Sequence, residues 1–294
     1  MKQVTIISGK GGTGKTTITA AFASFAKKAV LADCDVDAAD LHLILKPEVK
    51  KTVGFHGLPV AKIDYDKCIS CGKCVSHCQF NAITEDIRLR YEACEGCGVC
   101  EIVCPVHAVS MVQRDSGLLY ESETRFGPMV HACLNTAEES SGKLVTMVRE
   151  HAEEVAKKKG KDLVLIDGPP GVGCPVISAI TGVDLVVVVT EPTFSGIHDL
   201  KRIIQVANHF EIPQAVLINK KDINLNKTRE IQQFCKAHQI PLLGSIVYDT
   251  MVTKAMIAEK TIPEFEKGSV SASVEKAWKR LVNLLNFSDE NHKS

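Results

Sequence analysis

No stretch of this sequence stays apolar for the roughly 20 residues that a membrane-spanning helix needs, and neither sign of charge is in excess. The chain carries 35 basic and 35 acidic residues, a formal net charge of +0. Without a basic surplus there is no built-in attraction for nucleic acid or an anionic membrane, so neither is expected as an obligatory partner. A secretory leader pattern is lacking as well. The first residues run straight into Val4-Thr5-Ile6-Ile7 and a glycine-rich loop, and a cytoplasmic chain with reduced thiols is expected. That expectation bears on the 12 cysteines, eight of which fall between Cys68 and Cys104. Clustered in this way they read as metal ligands, not as disulfides. At 294 residues, with 45% hydrophobic and 24% charged content, the chain has room for one large α/β domain and a small one.

What is present begins with Gly9-Lys10-Gly11-Gly12-Thr13-Gly14-Lys15-Thr16-Thr17, directly after the first apolar run. The stretch fits the phosphate-loop pattern G-x-x-x-x-G-K-[ST]. A strand ends, glycines let backbone amides turn inward, and a helix N-terminus aims its dipole at an anion. Lys15 is the residue to reach the β- and γ-phosphates, and Thr16 the one to hold magnesium. The helix after the loop is expected over Thr16 to Lys28. A short strand, Ala29 to Ala32, then delivers Asp33-Cys34-Asp35. Carboxylates at the carboxyl end of a parallel strand lie beside the loop. Asp35 is a candidate to orient the attacking water and Asp33 to support magnesium or Lys15; a solvated helix cap is the plainer alternative.

With Lys10 inside the loop, Lys15 after it and Asp-x-Asp at the next strand end, the chain resembles the MinD/ParA class of deviant Walker A ATPases. That class includes the nitrogenase iron protein and iron–sulfur carriers of the Nbp35/ApbC type. The resemblance implies a doubly wound, mostly parallel P-loop fold, ATP and Mg2+ as ligands, and a nucleotide-dependent homodimer. In that dimer the equivalent of Lys10 reaches the partner's nucleotide. The resemblance covers residues 1–56 and about 114–294.

Between those parts lie Cys68-x-x-Cys71-x-x-Cys74-x-x-x-Cys78 and Cys94-x-x-Cys97-x-x-Cys100-x-x-x-Cys104-Pro105, two units offset by 26 residues. The spacing resembles the bacterial two-cluster ferredoxin run, in which the fourth cysteine of each run serves the other cluster. By that rule Cys68, Cys71, Cys74 and Cys104 hold one 4Fe–4S cluster, and Cys78, Cys94, Cys97 and Cys100 hold the second. The expected domains are thus an ATPase body, 1–56 and 114–294, with an inserted small α+β ferredoxin-like domain, 57–113. Two zinc sites are the competing reading, although zinc ribbons need a longer gap between cysteine pairs. Gln79 stands where the first run lacks the usual proline.

Farther on, Gly117 to Gly127 reads as a loop or hairpin and Thr136 to Lys159 as a long helix. Leu163-Val164-Leu165-Ile166-Asp167 is a buried strand ending in a Walker B carboxylate for magnesium. The family places a γ-phosphate-sensing glycine in the segment that follows, and Gly171 is the candidate. Cys174 sits about where the nitrogenase iron protein carries a cysteine for a subunit-bridging cluster; a small buried residue is the alternative. Leu185 to Val189 is a continuous apolar strand, as a sheet buried on both faces requires. Asn219-Lys220-Lys221-Asp222 ends a later strand, where Asn219 and Asp222 can read a purine edge. ATP is favoured over GTP because the other motifs match the ATPase class. A helix from Val274 to Leu285 closes the fold by packing on the sheet.

Two functions follow from this set of motifs. One is an ATP-dependent electron donor passing electrons through two 4Fe–4S clusters to a redox partner. The other is a carrier or maturation factor that delivers a metallocluster to a receiving protein.

Overall fold

The computed structural model describes residues 1–135 and 142–287. From the N-terminus come β1 (Lys2–Ser8), α1 (Lys15–Phe25), β2 (Ala29–Asp33), α2 (Leu41–Leu45), β3 (Glu48–His56) and β4 (Val60–Ile63). Next are α3 (Lys73–His77), α4 (Val99–Ile102), β5 (Val109–Val112), β6 (Asp115–Thr124), β7 (Gly127–Leu134), α5 (Gly142–Lys158) and β8 (Leu163–Pro170). The chain continues through α6 (Cys174–Ile180), β9 (Leu185–Thr190), α7 (Phe194–His209), β10 (Gln214–Ile218) and α8 (Leu225–Ala237). It closes with β11 (Leu242–Ser245), α9 (Thr250–Ile257), α10 (Ile262–Phe265) and α11 (Ser269–Phe287). Two compact units result. The first comprises Met1–Thr52, Leu119–Cys133 and Ser140–Ser294, the second Val53–Leu118 and Leu134–Glu139, apart from the residues outside the described ones.

A nine-stranded sheet has the order β11-β10-β9-β1-β8-β2-β7-β6-β3, and its strands from β11 to β2 lie wholly in the first unit. From β11 to β7 every pairing is parallel. Strands buried on both faces must be apolar without alternation, and Leu185 to Val189 are all buried accordingly. Alternate strand residues feed different layers. Val4, Ile6, Leu165, Val187 and Leu217 join Phe22 of α1 and Leu281 of α11 in one core, where Phe22 also meets Trp278 with ring centroids 5.4 Å apart. Thr5 points the other way and donates to the Ala179 carbonyl of α6 at 2.8 Å. The result is the expected α/β fold with a mostly parallel sheet. The chain moves from β1 outward through β2 and later returns to β9 on the opposite side. That reversal opens a crevice beside the carboxyl end of β1.

Several elements depart from expectation. The segment Gly117 to Gly127 is not one of them: it forms the expected hairpin, β6 and β7 being sheet neighbours joined by a two-residue turn, and β7 pairs in parallel with β2. The mostly exposed strand β3 was not expected, its alternation of Val49, Val53 and Phe55 being broken at Lys51. The closing helix starts at Ser269, earlier than Val274. Of the helix expected over Thr136 to Lys159, the part from Thr136 to Ser141 lies outside the described residues. Among the described residues no helix is long and apolar enough to cross a membrane.

His131 on β7 is nearly buried; it hydrogen-bonds Ser122 Oγ at 3.0 Å and stacks on Tyr120 with centroids 5.1 Å apart. Burial, with a smaller contribution from His42, lowers its pKa to about 4. The neutral ring is the folded form, while the unfolded chain takes up a proton near pH 6.5. Stability therefore falls as pH drops from about 6.5 to about 4, by at most about 3 kcal/mol. Urea unfolding over that range is expected to show this loss, and His131→Gln to flatten it.

The second unit is held by the antiparallel pair β4–β5, with Ile63 opposite Val109. Its small core contains Ala61, Ile63, Cys74, Ile83, Ile87 and Val109. The 26-residue repeat reappears in the backbone. Ser70 and Gly96 (φ 54 and 67), Gly72 and Gly98 (φ 69 and 76), and Asn81 and His107 (φ 51 and 49) are equivalent left-handed positions. Gly72 and Gly98 cap the starts of α3 and α4.

Candidate functional site

The crevice beside β1 is a cavity of about 450 Å3, lined by Gly11 to Ile18, Asp35, Asn219 and the segment from Ile246 onward. Its volume lies within the range of about 300–1,000 Å3 usual for ligand pockets. Gly12 and Gly14 adopt left-handed conformations, φ 77 and 91, so the loop turns tightly into α1. At Gly14 a Cβ would also strike the Asn219 carboxamide.

Lys15 is the electrostatic centre of the site. Its ammonium lies 3.0 Å from Asp167 Oδ1 and 3.2 Å from Asp35 Oδ2, and the residue is only 5% exposed. Burial pulls the Lys15 pKa down, but Asp167, Asp35 and Asp33 outweigh it and hold the group charged. Asp167 is fixed by two hydroxyls: Thr16 Oγ1 donates at 2.7 Å and Thr19 Oγ1 at 2.8 Å. Thr16, Asp167 and Asp35 thus converge around the Lys15 ammonium. Burial raises the Asp35 pKa, against the pull of Lys15. Asp33 differs from its neighbours. Fully buried and pushed well up, chiefly by burial and then by Asp167, it accepts from the amides of Asp35 and Leu41, both at 3.2 Å. Its oxygens pin the loop after β2.

Lys10 is held within its own chain, 2.7 Å from Glu191 Oε1 and 3.0 Å from Ser195 Oγ. Glu191 also meets Lys220 Nζ at 3.2 Å, and Lys220 Nζ donates to the Gly12 carbonyl at 2.9 Å. Against burial, the two lysines hold the Glu191 carboxyl below its usual range. Three further sequence-selected residues make contacts within the chain. The Gly171 amide donates to the Ser8 carbonyl at 2.8 Å, and Gly171 does not line the cavity. Asn219 does line it, but its Nδ2 donates to Thr13 O at 2.8 Å and its Oδ1 accepts from Lys220 N at 3.0 Å. Asp222 lies off the cavity, its Oδ1 accepting from Tyr248 N at 2.6 Å. Both side chains thus staple neighbouring loops. Val252, Thr253, Met256 and Ile262 line the cavity instead. Sequence reading missed them, along with Glu191; the i,i+4 pair Val252 and Met256 on α9 was the available signal.

In the second unit the cysteines gather in fours. One cavity is lined by Cys68, Cys71, Cys74 and Cys104, another by Cys78, Cys94, Cys97 and Cys100. Ala82 N donates to Cys78 Sγ at 3.3 Å and Ala108 N to Cys104 Sγ at 3.2 Å, equivalent contacts in the two repeats. Burial raises the thiol pKa at Cys74 and Cys100. At Cys104 burial is outweighed by amides of Ala108, Val106, Val109 and His107, which lower it. Among the described residues no three or more His, Cys, Asp or Glu side chains form a ready metal-binding group. Cys174 is exposed at the first position of α6; Cys34 and Cys235 are buried.

A glycine loop at a helix start, a lysine among strand-end carboxylates and a crevice at the sheet's reversal define a P-loop nucleoside triphosphatase. Residues 4–262 match the CobQ/CobB/MinD/ParA nucleotide binding domain, and the chain belongs to that family as a MinD/ParA-type ATPase. An uncharacterized protein of Methanocaldococcus jannaschii is 37% identical over 96% of this chain and 97% of its own length. The septum site-determining protein MinD of Bacillus subtilis is 27% identical, over 86% of this chain and 78% of its own. Among solved structures, MinD from Pyrococcus horikoshii complexed with Mg-ADP covers 96% of both chains with a TM-score of 0.59 at 17% identity. That likeness is one of fold.

Proposed function

We propose that this ATPase uses its nucleotide cycle to gate electron transfer through two 4Fe–4S clusters held by the second unit. The observation that carries the reading is the sorting of eight cysteines into two cavities of four. Each cavity takes three cysteines from one run and the last cysteine of the other, the division that the two-cluster ferredoxin spacing calls for. The donor set fits such clusters. Four thiols surround each cavity, and amides are directed at the sulfurs of Cys78 and Cys104, as hydrogen-bond donors to cluster ligands would be. When bound, the clusters would supply one-electron carriers.

On the nucleotide side, Lys15 and the loop amides bind the β- and γ-phosphates, Thr16 and Asp167 hold Mg2+, and Asp35 orients the attacking water. Lys10 must leave Glu191 to reach a partner's nucleotide in a homodimer. Glu191 then keeps Lys220 as its counter-charge, so the exchange strands no buried carboxylate. The test is a redox titration of the anaerobic protein with and without an ATP analogue. Midpoint potentials are expected to move on nucleotide binding, and Lys10→Ala to bind ATP within about threefold of normal while losing that response and most ATP-dependent dimerisation. Unmoved potentials, or a Lys10 variant that hydrolyses ATP normally as a monomer, defeat the reading.

The exposed thiol of Cys174 favours a second reading, delivery of a metallocluster to a receiving protein. Iron beyond the eight atoms of two clusters is the observation that would turn the balance toward it.

A further inference from the structure

One guanidinium outside the nucleotide cavity ties two of the cavity's walls together. Arg125 stands in the turn between β6 and β7. Its Nε and Nη2 fork onto the Glu264 carboxylate at 2.6 and 2.8 Å. Nη1 donates to the Leu45 carbonyl at 2.8 Å, and Nη2 to those of Ile44 at 2.9 Å and Glu259 at 3.3 Å. Ile44 and Leu45 form the last turn of α2, where a helix has no amides of its own left to satisfy its carbonyls. Glu259 and Glu264 belong to the other side, the junction of α9 and α10. Lys46, just past α2, repeats the link by pairing with Glu259. Each side leads to the cavity. The loop before α2 lines it with Asp35 and Asp40, while Val252 and Met256 of α9 and Ile262 of α10 form an apolar wall. Glu264 is held by the start of that same α10, its Oε2 accepting from Thr261 N at 2.8 Å and Thr261 Oγ1 at 2.9 Å.

We infer that Arg125 is a positioning residue for ATP: by clamping α2 to the α9–α10 junction it keeps the apolar wall set for the nucleoside part of the nucleotide. The loop amides and Lys15 serve the phosphates, so the apolar wall is the part of the cavity that suits a flat heterocycle. A wall ordered before the ligand arrives spares binding the cost of ordering it. Without the clamp that cost falls on any ligand that needs the wall, and not on one confined to the phosphate loop. The fork matters because a bidentate guanidinium fixes direction as well as distance, which an ammonium does not. Arg125 and Glu264 are only 32% and 28% exposed, so water screens the pair less than it screens one at the surface. The chemical step is spared, since Lys15, Thr16, Asp35 and Asp167 hold one another.

The experiment compares two ligands on the full chain by calorimetric titration, Mg-ATP and Mg-tripolyphosphate, the second having phosphates and no nucleoside. Arg125→Gln is expected to weaken Mg-ATP binding at least about tenfold and to leave Mg-tripolyphosphate within about twofold of wild type. In steady-state hydrolysis KM for ATP should rise by a similar factor while kcat stays within about threefold. Arg125→Lys keeps the charge without the fork, and should show the same selectivity with a smaller loss of ATP affinity, about threefold or more. Being the milder change, it carries the test if the glutamine variant does not fold, as circular dichroism will show. A residue that merely stabilises the fold would weaken both ligands alike or neither. The inference is overturned if the two ligands lose affinity equally, if ATP affinity is unchanged in both variants, or if kcat falls while KM holds.

Discussion

Lys15→Ala is expected to weaken Mg-ATP binding at least about 100-fold and to destabilise the nucleotide-free protein by about 3–5 kcal/mol at pH 8. Both effects come from one ammonium. With nucleotide present, Lys15 makes charge-assisted contacts to phosphate, each contributing about 1.5–3 kcal/mol, so losing two of them accounts for the affinity. Without nucleotide, the same ammonium neutralises Asp35 and Asp167 at 3.2 and 3.0 Å, next to the fully buried Asp33. Its removal leaves three carboxylates with no cation among them. Asp33 and Asp35 are already pushed up, first by burial and against the pull of Lys15, so they must rise further in the variant. A carboxylate whose folded pKa lies above its unfolded value costs stability as pH rises through the folded pKa. The deficit should therefore be largest near pH 8 and shrink toward pH 5. Calorimetric titration with Mg-ATP and urea unfolding at the two pH values read the two effects separately. Equal destabilisation at both, or binding within threefold of wild type, would remove Lys15 from this role.

The contrast between Lys15 and Asn219 shows how much was legible beforehand. Gly9 to Thr17, Asp35, Asp167 and the cysteine runs act through spacing along the chain, so the sequence announces them. Parallel strands such as β9 are equally plain, because burial on both faces demands an unbroken apolar run. Asn219 and Asp222 have the right chemistry for a purine edge, and the structure adds that both also hydrogen-bond nearby backbone groups, which residue type alone does not announce. Residue type says what a side chain can bind, not which neighbour reaches it first. Glu191 was invisible for a related reason. Its partners Lys10 and Lys220 stand 181 and 29 positions away, and they meet only because β9 runs between β1 and β10. Strand β3 escaped notice because Lys51 breaks its alternation of Val49, Val53 and Phe55.

Pairs of cysteine substitutions should separate crossed from sequential ligation more sharply than any single one. In Cys104→Ala the crossed arrangement predicts damage to the site of Cys68, Cys71 and Cys74, although Cys104 belongs to the other run. The structure places Cys104 at that first cavity and Cys78 at the second. Loss of one thiolate leaves three ligands, so the damaged site sheds an iron or its whole cluster. Adding Cys68→Ala strikes the same site again, and one intact 4Fe–4S cluster with about four iron atoms should remain. Adding Cys94→Ala to Cys104→Ala strikes both sites, and no intact cluster should survive. If ligation is sequential the outcomes exchange: Cys104 with Cys94 spares a cluster, and Cys104 with Cys68 spares none. Spin integration of the reduced, anaerobic variants counts intact clusters directly. Zinc in place of iron–sulfur would give no such signal in the wild type, so one set of spectra tests both the metal and its wiring. The crossed result also has a mechanical consequence. Each cluster would tie the two halves of the repeat together, and the small core around Ile63, Ile83 and Val109 would depend on both for its stability, because binding energy at a site absent from the unfolded chain is folding energy.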